Sequence, residues 1–203
     1  WEEIERKIQI IGKLSKTIHV DFIDGKFVNN LTFLDPTPFS KYSKELFLEA
    51  HLMVLEPINY LKPLANSGFK RFIGHVEKMT DQIEFTALGE ILGEVGLAVD
   101  LQTSIDEIKV PFADLDSVLI MTIKAGFSNQ EFQSLALEKV QELRRRPLEN
   151  PRLSELIIEV DGGINDQTIL LAKQAGANRY VATSFIGESA NPSESYIKLK
   201  SLA

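Results

Sequence analysis

An α/β fold on a closed parallel barrel, the (β/α)8 or TIM barrel, is the class this sequence predicts, and three observations carry it. Short apolar, β-branched runs alternate with stretches of helical period along the whole chain. The strands recur at roughly 20 to 40 residues, the size of a βα unit with its loops. No glycine-rich turn follows an early strand, as a doubly wound nucleotide binder would require. Strands alternating with helices argue for a parallel sheet covered by helices. Seven strands are visible with a helix before the first, and one strand upstream of Trp1 would complete eight units. The expectation is one barrel domain over residues 1–203, with its first strand missing from the given chain.

In order, residues 1–14 read as an amphipathic helix. Strands are predicted over residues 17–23, 49–54, 71–76, 95–101, 117–123, 155–160 and 179–182, and helices over 57–67, 82–93, 129–146, 165–176 and 193–202. Gly68, Gly96 and Gly176 each stand between a helix and the next strand, where a left-handed cap favours glycine. No linker-like or low-complexity segment divides the chain.

Composition narrows the function. At 44% hydrophobic and 25% charged, the chain is too apolar for disorder. Its 22 basic against 29 acidic residues give a net charge of -7, with no basic stripe for nucleic acid. The run Arg144-Arg145-Arg146 reads as surface charge complementing a helix C-terminus. The absence of cysteine excludes a disulfide framework, thiolate ligands and a cysteine nucleophile, and fits a reducing compartment. No apolar run approaches the roughly 18 residues of a membrane span, and no basic-then-apolar leader opens the chain. A cytoplasmic protein with neither nucleic acid nor membrane as partner is expected.

Strands of a parallel barrel are buried on both faces, so ionisable residues within them need a reason. Period two puts His19, Asp21 and Ile23 on one face of the first strand, and His51 with Met53 on one face of the second; Asp161 ends the strand that opens Gly162-Gly163. Two histidines and two carboxylates converging on one face make a divalent site of nitrogen and oxygen ligands, because burying them without a cation is costly. His75, also at a strand end, reads as a supporting or structural residue, since a fifth protein ligand would crowd out substrate. Met53 and Met121 read by default as core. Gly162-Gly163 before Ile164-Asn165-Asp166, and Ala182-Thr183-Ser184 after the last strand, are turns opening helices whose free N–H groups can hold a phosphate.

The stretch from His19 through Val20-Asp21-Phe22-Ile23-Asp24-Gly25-Lys26-Phe27-Val28-Asn29-Asn30-Leu31 to Thr32 resembles a motif of the ribulose-phosphate 3-epimerases. His51-Leu52-Met53-Val54 with Pro57, Gly126-Phe127 with Gln130 and Phe132, and Glu159-Val160-Asp161-Gly162-Gly163-Ile164 resemble three more in the same order. The resemblance implies a barrel that interconverts D-ribulose 5-phosphate and D-xylulose 5-phosphate with one bound divalent ion: zinc, iron, manganese or cobalt. It implies His19, Asp21, His51 and Asp161 as ligands, with Asp21 and Asp161 also the acid–base pair on either side of the substrate. A metal-stabilised enediolate would then be protonated on the opposite face. Met53 and Met121 match methionines that lie against the reacting plane, and Gly126, Gln130, Gly162, Gly163, Thr183 and Ser184 match substrate- and phosphate-binding positions. A homo-oligomer is implied as well.

Departures from the family pattern concentrate around the phosphate. Ile23 stands where a third methionine is usual, Thr183 where a glycine is, and Asp100-Leu101 where an asparagine–proline pair is. Ala125-Gly126-Phe127-Ser128-Asn129-Gln130 replaces a loop with two further glycines; if those serve positive φ, Asn129 can adopt it and Ser128 cannot without strain. The acid–base and ligand groups are intact, so another ketose phosphate stays open as substrate, as does a silent barrel that only binds metal or sugar phosphate. Related decarboxylase and aldolase barrels are set aside: they carry an aspartate-x-lysine-x-x-aspartate array where this chain has His51-Leu52-Met53.

Overall fold

The computed structural model describes residues 1–146 and 156–203. Among the described residues seven strands, β1 (Thr17–Ile23), β2 (Phe47–Met53), β3 (Phe69–His75), β4 (Glu94–Val99), β5 (Ser117–Met121), β6 (Ile157–Asp161) and β7 (Arg179–Val181), pair in parallel and strictly in chain order. They make a nearly closed barrel whose two edges are β1 and β7. Around it run helices α1 (Glu2–Ile11), α2 (Ile58–Asn66), α3 (Gln82–Leu92), α4 (Leu137–Arg145), α5 (Thr168–Ala175), α6 (Thr183–Gly187) and α7 (Pro192–Leu202).

The strand period sorts side chains into two layers. Outward-facing Phe22, Leu48, Phe72, Leu97, Val118 and Ile158 are fully buried beneath Leu61 and Leu64 of α2, Phe85 of α3 and Ile169 of α5. Each such side chain contributes about 1.5–3 kcal/mol of burial. A separate apolar cluster of Ile23, Met53, Ile73, Ala98, Leu119, Met121, Ile123 and Ala125 fills the barrel interior.

Every expected strand is present, with ends shifted by at most two residues; the expected start at residue 155 lies outside the described residues. The helix expected over 129–146 begins only at Leu137, after a single 3-10 turn at Ser134–Ala136. Residues 129–133 are needed elsewhere: Asn129 is left-handed at φ +60, and the Gln133 N–H donates to the Thr122 carbonyl 2.8 Å away. Gly68 and Gly176 are left-handed, as expected of caps. Gly96 is not a cap but lies inside β4, where a Cβ would come within 2.4 Å of Ser117 Oγ on β5. The arginine run also does more than complement a helix end. Arg144 donates to the carbonyls of Gly176 and Leu156, and Arg146 pairs with Asp106 and Glu142.

Candidate active site

Strand register assembles the site. Asp21 of β1 lies beside His51 of β2, and His19 lies beside Glu49; across the barrel, Asp161 ends β6 beside Met121 of β5. One atom from each of His19, Asp21, His51 and Asp161 lies within 4.8 Å of the others. His51 Nδ1 stands 2.9 Å from Asp21 Oδ1 and 3.5 Å from Asp161 Oδ2, and His19 Nε2 stands 3.3 and 3.8 Å from the same two oxygens. Asp21 is the member most open to solvent, its side chain 39% exposed, whereas His51 is fully buried.

The charges are strongly interdependent. Burial by itself would pull His51 down, but the carboxylates of Asp161 and Asp21 outweigh it and hold the imidazole up to about 9. His19 is likewise raised against its burial, by Asp21, Glu159 and Glu49. Asp21 is held well below the usual carboxylate range because His19 and His51 overcome its desolvation. His19 Nε2 is buried without a hydrogen-bond partner among the described residues. Acceptor atoms gathered in this way repel one another unless a cation or proton lies among them. Two imidazole nitrogens and two carboxylate oxygens are the donor set of a divalent transition metal, so these residues fit that group.

One layer down, on the same strand faces, lies a charged cluster of which the motifs include Glu159 alone. Glu49, Arg71 and Glu159 are buried, and Arg179 approaches the two glutamates at 3.7 and 3.6 Å. His19 Nδ1 is 2.6 Å from Glu49 Oε1, and Arg71 donates to the other Glu49 oxygen. Glu49 is held low because His19 and Arg71 outweigh its burial, while burial and the charge of Glu49 push Glu159 up. His19, Glu49 and Glu159 could themselves surround a cation, but the two guanidiniums already supply that charge. A sequence signal for this layer exists: Glu49 and Glu159 each precede an expected ligand position by two residues and therefore share its face.

His51 also has an outer partner. Its Nε2 is 2.9 Å from His75 Nε2, and His75 Nδ1 is 2.9 Å from Glu77 Oε2. Burial pulls His75 down; Glu77 is held at about 2 by His75 and by the Asp100 N–H, against its own burial.

The expected substrate-binding residues fall in two places. Met53 and Met121 are buried in the interior cluster that also holds Ile23. Gln130, Gly163 and Ser184 line a cavity of about 740 Å³ together with Phe132, Asn165 and Thr168. Gly162 and Gly163 have φ of +113 and +67, and a Cβ on Gly162 would come within 2.3 Å of Ile123. Only glycine fits there. Gly126 is buried against Val28, and Thr183 begins α6. In the loop after β5 Gly126 and Asn129 are left-handed and Ser128 is not, and the Gln130 amide donates to the Lys124 and Phe127 carbonyls.

Comparison with known proteins agrees with this geometry. The model of the ribulose-phosphate 3 epimerase family matches residues 2–186. The cytoplasmic isoform of ribulose-phosphate 3-epimerase from Oryza sativa subsp. japonica is 35% identical over 190 residues, covering 87% of this chain and 78% of the relative. Ribulose-phosphate 3-epimerase from Bacillus subtilis is 36% identical over 172 residues, covering 83% and 78%. Among solved structures, KGPDC from Streptococcus mutans superposes with a TM-score of 0.71 over 99% of this chain and 91% of that one. Its 13% identity makes that a likeness of fold alone. The family match across most of the chain is the stronger finding: this chain belongs to the ribulose-phosphate 3-epimerase family, a family of isomerases.

Proposed function

We propose that the chain inverts C3 of a ketose phosphate, D-ribulose 5-phosphate to D-xylulose 5-phosphate, using Asp21 and Asp161 as a two-carboxylate acid–base pair. The observation that supports this most directly is the convergence of His19, Asp21, His51 and Asp161 within 4.8 Å inside the barrel. A C3 proton beside a ketone is weakly acidic, so its removal requires a positioned base and relief of the negative charge left on the oxygens. One divalent ion held by those four residues, when bound, supplies that relief.

The remaining work falls to the chain. Asp21, held ionised by its two histidines, takes the proton from one face, and Asp161 delivers one to the other. Each inversion leaves the pair with its protonation exchanged, and the exposed edge of Asp21 lets solvent reset it. Met53 and Met121 bound the reacting plane with groups that neither donate nor accept protons at neutral pH. The cavity beside Gly163 and Ser184 takes the phosphate. The altered residues of that region, Asn129 and Thr183, are where a different ketose phosphate would be selected.

Two measurements test the proposal. In deuterated buffer, label should enter C3 in step with epimerisation, because the proton delivered is not the one removed; product free of deuterium would refute a two-carboxylate transfer. Treatment with a chelator should abolish turnover on D-ribulose 5-phosphate, and one equivalent of divalent ion per chain should restore it. Full turnover by metal-free protein would remove the ion from the reading, and turnover only on another ketose phosphate would reassign the substrate.

A further inference from the structure

His51 is the one proposed ligand whose second nitrogen meets another imidazole rather than a carboxylate. Its ring and that of His75 lie 24° from parallel with centroids 5.0 Å apart, and their Nε2 atoms are 2.9 Å apart. Two imidazole nitrogens at that distance must share one hydrogen: one carries it and the other accepts. Glu77 decides which. Its Oε2 lies 2.9 Å from His75 Nδ1, and its Oε1 accepts from the Asp100 backbone N–H at 2.6 Å, so both of its oxygens are committed as acceptors. His75 Nδ1 therefore carries its hydrogen. His75 is fully buried, with the Phe27 ring at 4.7 Å, and such a ring is favoured uncharged, which leaves Nε2 as its acceptor. The hydrogen between the rings then belongs to His51 Nε2, and once a divalent ion takes the place of the Nδ1 proton that Asp21 and Asp161 otherwise favour, the lone pair of Nδ1 is the one that faces the site.

We propose that Glu77 and His75 form a tautomer relay, acting as positioning residues that fix His51 as an Nδ1 ligand. The inference rests on the cation reading of the four-residue site. The relay is itself anchored across the barrel mouth. Asp100 Oδ1 accepts from the Ala125 N–H, and Lys139 donates to the Asp100 carbonyl. Glu77 is thus tied to the loops after β4 and β5, and the orientation of a ligand on β2 depends on residues after three later strands. The same logic governs His19 by a shorter route, because Glu49 takes its Nδ1 directly.

The test reads protons rather than turnover. In Zn(II)-loaded protein labelled with 15N-histidine, long-range 1H–15N correlation should show His75 as the Nδ1–H tautomer and His51 as the Nε2–H tautomer. His75 protonated at Nε2, or His51 protonated at Nδ1, would overturn the relay. In Glu77→Gln the amide can accept from only one of its two donors. Zn(II) affinity measured by chelator competition should fall about 10- to 100-fold with the thermal midpoint little changed; unchanged affinity would overturn the proposal. The failures are distinguishable. Tight Zn(II) binding by a protein with the opposite tautomers removes the relay alone, whereas a wild-type chain that binds no divalent ion removes the cation reading and the relay with it.

Discussion

Asp161→Asn should lower the kcat for C3 inversion by at least about 10³-fold while the protein stays folded and still binds a divalent ion, more weakly than before. The size follows from the step removed. A positioned proton donor or acceptor is worth roughly 10² to 10⁴ in rate, and an amide can neither take up nor release the proton at neutral pH. The direction for the ion follows from the geometry. The substituted amide would keep a carbonyl oxygen in place of Asp161 Oδ2, which stands 3.5 Å from His51 Nδ1, and the other three proposed ligands are untouched. Folding should be spared because the ion-pair partners of the Asp161 side chain among the described residues are the two histidines of the site itself. Its backbone carbonyl, which accepts from the Thr122 N–H at 2.7 Å, is unchanged. A coupled assay combined with elemental analysis of the purified variant checks both halves. Activity within tenfold of wild type would mean that Asp161 is not a member of the acid–base pair.

The elements that can be read from sequence are those whose pattern is local. Thr17–Ile23 is legible to its ends because its apolar run has a sharp compositional edge, with Ser15 and Lys16 before it and Asp24-Gly25 after. His19, Asp21, His51 and Asp161 can be placed on shared faces because alternation is a property of each strand, and parallel register then brings those faces together. What stays hidden depends on partners distant in sequence. The stretch 129–133 has a helical composition, but its path is set by the Thr122 carbonyl and by the close approach of Phe132 to Gly163. Gly96 looks like any inter-element glycine until Ser117 is laid against it. Arg71 and Arg179 read as ordinary charges near strand starts; only barrel closure turns them inward onto Glu49 and Glu159. His75 reads in sequence as supporting or structural and no more, because its contact with His51, a proposed ligand on the preceding strand, appears only when the two strands are laid side by side.

Arg71→Met should destabilise the fold by about 3–5 kcal/mol, the usual consequence of removing one member of a buried ion pair and leaving the other uncompensated. Methionine matches the length of the aliphatic stem, so the loss reports charge more than volume. Arg71 is 5% exposed and donates through Nη1 to Glu49 and through Nε to Glu94 at 2.8 Å. Without it, Arg179, at 3.7 and 3.6 Å, would be left as the guanidinium facing the buried Glu49 and Glu159. Glu49 would then have to take up a proton or draw in water, and either response disturbs its 2.6 Å contact with His19 Nδ1. A domain of this size should lose on the order of 10 °C in thermal midpoint. Glu94→Gln is the internal control: the Glu94 side chain is 41% exposed, and exposed pairs contribute about 1 kcal/mol or less. Urea unfolding of both variants separates the cases. If Arg71→Met proved as mild as Glu94→Gln, the interior charges would be individually dispensable. If it costs several times more, the same guanidinium that balances the lower layer also holds the ring of His19 in place, and stability and ligand geometry are set by one network.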